Sequence, residues 1–216
     1  MKTIFITGGT GYIGSRLIRA LVKRGGYRVK ALIRANSLSK LPAGCEAVIG
    51  DALDYTSYQQ ELETTAVFVH LVGVAHPSPA KAAAFRNIDL ASVTEALKAT
   101  AGKPIERFIY LSVAMYPTKI MAAFQSARAE AERLLLAAPF PSTFIRPWYV
   151  LGPGHWWPII LKPVYALMRI IPGRRQMAAE LSTVTIAQMI NTLLKEIDHD
   201  AAGNRIIDVA AIKKNR

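Results

Sequence analysis

The chain has one cysteine, Cys45, in 216 residues, so no disulfide can form within it, and no Cys/His spacing of the metal-binding kind occurs. The opening MKTIFITGG carries a single lysine and a few apolar residues before glycines, which is too short for a secretory signal. No stretch reaches the ~20 apolar residues of a membrane-spanning helix. The expectation is a cytoplasmic protein. Acidic residues are missing from the first 45 positions, whereas Lys2, Arg16, Arg19, Lys23, Arg24, Arg28, Lys30, Arg34 and Lys40 all fall there. The net charge is +12. Such a field attracts anions, whether nucleotides, nucleic acid or anionic lipid. No nucleic-acid-binding motif or aromatic-interleaved basic stretch accompanies it, which argues against nucleic acid. A solvated basic surface is the plain alternative.

With 51% hydrophobic residues, a chain of this length can bury roughly 70% of its unfolded surface in one domain, here residues 1–216, without a staple. Short apolar runs alternate with helical periodicity. TIFIT (3–7), RVKALI (28–33), EAVIG (46–50), AVFVHLVG (66–73), ERFIYLS (106–112), STFIRP (142–147) and NRIIDVA near the end read as strands. Helical patterns lie between them: GYIGSRLIRALVKRG with Ile13, Leu17, Ala20 and Leu21 on one face, YTSYQQELE, AKAAAFRNIDLASVTEALKATA, AFQSARAEAERL and TIAQMINTLLKEI. Strands buried on both faces and separated by helices predict an α/β fold, a Rossmann-type doubly wound parallel sheet. After Pro147 the sequence turns rich in Pro, Gly and Trp, which reads as a small C-terminal cap within 148–204 over the sheet's carboxyl edge.

TGGTGYIG (7–14) follows the first strand and opens the first helix, the setting that turns a glycine pattern into a dinucleotide-binding fingerprint. Gly8 permits the tight turn, Gly11 lets backbone approach a pyrophosphate, and Gly14 allows close helix packing. Gly9, Thr10, Tyr12 and Ile13 complete the loop, whose helix N-terminal N–H groups face the phosphates. At the end of the second strand, where an acidic residue would hold the ribose hydroxyls of NAD(H), the run is ALIRANS. Arg34 stands there with Asn36 and Ser37, and its guanidinium suits a 2′-phosphate, so NADP(H) is preferred and NAD(H) is the alternative. Arg34 as a plain surface charge would leave the preference open. In GDALD, Asp51 is placed to accept from an adenine amino group with Ala52 and Leu53 against the ring, while Asp54 suits a helix N-cap better.

With TGGTGYIG, ALIR, GDALD, VFVHLVG, NIDL, YLSV, ARAEAE and FIRP in this order, the chain resembles the short-chain dehydrogenase/reductase superfamily over roughly 1–210. Within it, the extended and atypical branches are nearest, the NAD-dependent epimerase/dehydratase and NmrA-like NAD(P)H-binding proteins. The resemblance implies about seven parallel strands with a dinucleotide across their carboxyl edge. It assigns Leu71, Val72 and Gly73 to the adenosine and ribose, Asn87 to a bracing position, Ser112 to the catalytic serine, and Pro147 to the segment beside the nicotinamide carboxamide.

The superfamily's chemistry needs a tyrosine and a lysine one helical turn apart, as Tyr-x-x-x-Lys. The tyrosine is the general acid/base, and the lysine lowers its pKa and holds the nicotinamide ribose. The matching positions here are Phe124 and Arg128, followed by the expected alanine–glutamate run. Tyr116 and Lys119 do not replace them, since they are three apart with Pro117 between. Phe124 has no proton to exchange. Arg128 keeps a positive charge and can hold ribose hydroxyls, which makes it, with Ser112, the remaining catalytic pair.

His76 in HPSP and His155 in GPGHWWP fall in loops at the carboxyl edge, where either imidazole could replace the missing proton donor. Trp148, Trp156 and Trp157 read equally as an aromatic lid or as cap packing. WPIILKPVYALMRIIPGRR, with Lys162, Arg169, Arg174 and Arg175, reads as a buried cap helix, with peripheral contact to an anionic membrane as the alternative. Two functions follow: an oxidoreductase or epimerase-like enzyme on a small molecule, or a non-catalytic NADPH-binding sensor or accessory subunit of a larger complex.

Overall fold

The apolar runs lie side by side as seven parallel strands, with residues 1–156, 159–160, 163, 171, 175–200 and 202–215 described in the computed structural model. The strands are β1 (Lys2–Thr7), β2 (Tyr27–Ile33), β3 (Glu46–Ile49), β4 (Val67–His70), β5 (Arg107–Leu111), β6 (Ser142–Ile145) and β9 (Arg205–Ile207), in the order β3-β2-β1-β4-β5-β6-β9. Two further strands, β7 (Tyr149–Leu151) and β8 (Thr183–Thr185), form a separate parallel pair. The helices are α1 (Gly14–Arg24), α2 (Ala82–Ala84), α3 (Ala91–Thr100), α4 (Ala122–Leu136), α5 (Arg175–Glu180), α6 (Ile186–Ile197) and α7 (Val209–Lys214). The α/β doubly wound expectation holds.

Each strand sends alternate side chains to opposite layers, which is why the central strands are apolar on both faces, while β2 and β3 toward the edge carry Arg28, Lys30 and Glu46. From β1, Ile4 and Ile6 join Leu17, Ile18 and Leu21 of α1 and Leu193 of α6 on one face. Phe5 goes to the other face with Phe68, Phe108, Phe144, Val93 and Leu135. Strand order reverses between β1 and β4, and their carboxyl ends diverge there to leave the crevice in which ligands sit in open α/β sheets.

Two sequence expectations change. YTSYQQELE forms two 3₁₀ turns, Tyr55–Ser57 and Gln59–Leu62, rather than an α-helix. Tyr58 leaves the helical path with φ −145° so that its ring can stack on Phe5 at 5.8 Å. Asp54 caps the first turn by accepting from Thr56 N–H. The long helix from Ala80 is broken in type: α2 passes into a π-helical turn, Phe85–Leu90, before α3. That wider turn directs Phe85 and Asp89 inward and leaves Asn87 exposed, so the bracing position implied for Asn87 is filled by Asp89 instead.

Among the described residues no helix is long and apolar enough to cross a membrane. Trp157, Lys162, Arg169 and Arg174, and with them the interfacial-helix reading, lie outside the described residues, and the side chain of Arg175 is likewise not described.

Candidate functional site

The glycine loop sits at the strand-order reversal and is built by close approach. Gly8 adopts φ +75°, and a Cβ on it would come within 2.9 Å of the Leu71 carbonyl group at the end of β4. A Cβ on Gly14 would collide with the Gly8 carbonyl oxygen, and one on Gly9 would stand 2.9 Å from Ala31 Cβ and 3.0 Å from Ile18 Cδ1. Gly9 is therefore the contact between α1 and the sheet, whereas Gly14 closes the helix onto the loop itself. This is a redistribution of the roles expected from spacing.

A cavity of about 750 Å³ opens beside this loop. Gly8, Gly11, Tyr12, Ile13 and Gly14 line one part, Leu71 and Gly73 another, and Ser112, Phe124, Arg128 and Pro147 the far part. Gly9, Thr10 and Val72 lie in the same loops but off its wall, and Arg34, Asp51, Ala52 and Leu53 stand farther along the carboxyl edge at the ends of β2 and β3. Arg34 is exposed, directly before the 3₁₀ turn Ala35–Lys40. Asp51 is exposed, and its Oδ1 already accepts the Leu53 N–H at 3.0 Å.

Phe124 and Arg128 lie on α4, which begins at Ala122, so Tyr116 and Lys119 fall before the helix. The Phe124 ring packs on Phe85 at 4.9 Å within a small cluster containing Val113 and Ala127. It also lines the cavity. Arg128 is almost fully enclosed. Its Nη1 donates to Leu111 O at 2.6 Å and to Tyr110 Oη at 3.1 Å, and its Nη2 donates to Asp89 Oδ1. Burial alone would weaken its charge, but Tyr110 and Asp89 more than restore it and hold the guanidinium above its ordinary pKa.

Asp89 was not singled out by sequence, although it stands in the quoted NIDL. It has no exposed surface, and its second oxygen accepts from Val74 N–H at 3.0 Å, tying the loop after β4 to α4 through Arg128. The polar chain continues inward. Ser92 Oγ donates to the Asp89 carbonyl and lies 3.1 Å from His70 Nε2, whose Nδ1 lies 3.0 Å from Thr7 Oγ1. His70 is wholly buried, and burial with the nearby Arg128 charge pushes its pKa down to about 3. Its signal was a histidine inside the apolar run VFVHLVG. Gln125, also missed, donates to Ala114 O and Tyr116 O at 2.7 Å each and accepts from Thr118 N–H, which fixes the loop after Ser112. The expected alanine–glutamate run contributes Glu132, which pairs with Arg146 of FIRP, with Nε to Oε1 at 3.0 Å.

Among the described residues, three buried polar atoms without a partner belong to residues of the cavity wall: Tyr12 Oη, Ser112 Oγ and Arg128 Nε. His76 and His155 also line it and stack on each other at 5.3 Å. The ring contacts of this pair run to each other and to Tyr12, on the glycine-loop side. Trp148 lines the cavity, while Trp156 is exposed. Among the described residues no group of three or more His, Cys, Asp or Glu is placed to hold a metal.

A doubly wound sheet, a glycine loop at its switch point, and a serine strand-end facing the Phe124/Arg128 helix define a member of the short-chain dehydrogenase/reductase superfamily. More narrowly, a model of the NAD dependent epimerase/dehydratase family matches residues 4–140, and the chain belongs to that family. It is 27% identical to a UDP-glucose 4-epimerase of Vibrio cholerae over 97% of this chain and 70% of that protein. It is 26% identical to a 4-hydroxy-2-methyl-3-oxo-4-farnesyl-3,4-dihydroquinoline-1-oxide ketoreductase of Stigmatella aurantiaca over 70% of this chain, a match spanning about half (51%) of that enzyme. A crystal structure of UDP-glucuronic acid 4-epimerase from Bacillus cereus in complex with NAD superposes with a TM-score of 0.70 at 17% identity, covering 95% of this chain and 77% of that one. That likeness shows the shared fold.

Proposed function

We propose that the chain binds a nicotinamide dinucleotide, NADP(H) in preference to NAD(H), and acts as an oxidoreductase or epimerase-like enzyme with Phe124 and Arg128 in place of the tyrosine–lysine pair. The observation that carries this reading is the shared wall. The glycine loop and α4 border one cavity, and three residues of its wall, Tyr12, Ser112 and Arg128, carry buried polar atoms (Oη, Oγ and Nε) that have no partner among the described residues. Such atoms are costly to bury unless a ligand satisfies them. Gly8, Gly11 and Gly14 leave room for phosphates at the N-terminus of α1, and Arg128 Nε offers a donor to ribose hydroxyls.

A bound dinucleotide would supply hydride chemistry at its nicotinamide. This chain's own part is to orient and polarise. The Ser112 hydroxyl is free to donate to a substrate oxygen, and Arg128, held by Asp89, keeps positive charge beside it. Val74, Val113, Met121, Phe124 and Trp148 give the wall an apolar stretch, which favours a carbonyl-bearing apolar substrate. The similarity to a ketoreductase acting on a farnesylated ring supports that choice, and the similarity to UDP-glucose 4-epimerase supports the epimerase-like alternative.

A second reading has its own observation. Phe124 is packed as a core ring against Phe85 and gives no proton, which favours a non-catalytic NADPH-binding sensor or accessory protein. The deciding experiment is NADPH binding by calorimetry together with NADPH oxidation over a panel of apolar ketones, aldehydes and quinones. Turnover by the unaltered chain supports the enzyme. Binding with no turnover, gained on Phe124→Tyr, supports the sensor, and failure to bind either dinucleotide overturns both.

A further inference from the structure

Four side chains from three separate parts of the chain form one continuous stack at the cavity mouth. The Arg16 guanidinium lies 4.0 Å over the Tyr12 ring, the His155 ring lies 4.5 Å from Tyr12, and His76 lies 5.3 Å beyond His155 with ring planes 13° apart. Arg16 and Tyr12 belong to the glycine loop and α1, His155 to the turn after β7, and His76 to the loop after β4. Arg16 fastens the layers by donating to Tyr12 O at 2.8 Å and to Pro153 O at 3.3 Å. Lys81 fastens the other end by donating to Ala75 O and His76 O.

Two details separate this stack from incidental packing. His76 is the one non-glycine residue at positive φ among the described residues, at 49°, a conformation that persists only where surroundings impose it and that gathers at ligand clamps. Apart from the Tyr12 phenol, the charged and titratable groups of the stack are also cations or cation-forming. Arg16 comes from α1, His155 from the turn after β7, and His76 and Lys81 from the loop after β4; the remaining titratable group, Tyr12, lies between them. Among the described residues no carboxylate pairs with any of them. Such an arrangement beside the N-terminus of α1, which has no acidic residue in its first turn, is complete only with an anion.

We propose that His76 and His155 form a latch that clamps the pyrophosphate of a bound dinucleotide onto the glycine loop. The inference rests on the dinucleotide reading above and adds two residues to it. Gly8, Gly11, Tyr12, Gly14, His76 and His155 share the cavity wall, so an anion held by the loop lies on the same wall as both imidazoles. In the free chain, burial first, then the neighbouring His76 and Arg16, keep the His155 pKa below its ordinary value. A pyrophosphate beside the pair reverses that balance, and the chain takes up a proton as it binds. Affinity therefore rises as pH falls through the histidine range.

The test is calorimetry of NAD⁺ binding to the full chain at about pH 6, 7 and 8, each in buffers of different ionisation enthalpy. NAD⁺ is used because its pyrophosphate does not titrate there, unlike the 2′-phosphate of NADP⁺. Binding should tighten about five- to tenfold from pH 8 to pH 6, with net proton uptake near neutrality. His76→Gln and His155→Gln should each reduce both effects while retaining the thermal unfolding midpoint. Binding that is independent of pH and releases or takes up no proton overturns the latch and leaves the dinucleotide reading intact. If neither NAD⁺ nor NADP⁺ binds at any pH, both fall.

Discussion

Arg128 Nη2 stands 2.5 Å from Asp89 Oδ1, with the two side chains 7% and 0% exposed. The cation that sequence marks as a ligand-gripping group is thus already half engaged by an internal carboxylate. Its Nε has no partner among the described residues, while the rest of the guanidinium ties α4 to β5 and, through Asp89, to the loop after β4.

Removing one member of such a pair leaves a buried charge without compensation. Asp89→Ala should lower unfolding free energy by about 3–5 kcal/mol, measured by urea denaturation. Replacing both partners by apolar residues, Asp89→Leu with Arg128→Met, should recover much of that loss. A loss for Asp89→Ala below about 1 kcal/mol would show that the pair is open to water.

His70 gives the fold a defined acid response. Its folded pKa of about 3 lies below the ordinary histidine value, so the unfolded chain binds a proton that the native chain refuses. The neutral-His70 contribution is complete above the unfolded pKa of ~6.5, and stability falls as pH drops below it, down to the folded pKa. Between pH 7 and pH 5 this single group should cost about 2 kcal/mol. His70→Gln should unfold with a shallower pH dependence over that window, and an unchanged slope would refute the assignment.

Phe124→Tyr adds one hydroxyl to a ring that already faces the cavity. Stability should change by less than about 1.5 kcal/mol, since ring packing on Phe85 is kept. NADPH-dependent turnover of an accepted ketone should rise by about 10²–10⁴-fold where proton transfer limits the rate. No gain on any substrate would mean that the serine and arginine alone do not complete the site.

Arg34 is exposed and, among the described residues, its guanidinium makes no ion pair or hydrogen bond. Arg34→Ala should weaken NADPH binding by about ten- to a hundredfold, the worth of one or two charge-assisted hydrogen bonds, and leave NADH binding nearly unchanged. Equal affinities of the unaltered chain for NADPH and NADH would overturn the NADP(H) preference.

The strand pattern was legible because the central strands β1, β4 and β5 are covered on both faces and read as apolar runs, whereas β2, β3 and β9 nearer the edges carry Arg28, Lys30, Glu46 and Arg205. The glycine loop was legible for a related reason, since backbone packed against backbone leaves room for nothing larger. Asp89, His70 and Gln125 were harder to read. Each acts through side-chain contacts with residues 7 to 63 positions away, and no local periodicity records such partners. Asn87, assigned by resemblance, faces outward and Asp89 inward because the π-turn shifts which residues point to the core. His76 and His155 were each identified as loop histidines, yet their stacking depends on how the loops after β4 and β7 meet.

The parallel pairing of β7 with β8 has a further meaning. It sets Tyr149 level with Thr183 and Leu151 level with Thr185, so the chain leaves β7 at one end of the pair and enters β8 at the other. Any change of length between them has to leave Pro153 under Arg16, His155 against Tyr12 and Leu181 in the core, like a bridge rebuilt on its old abutments.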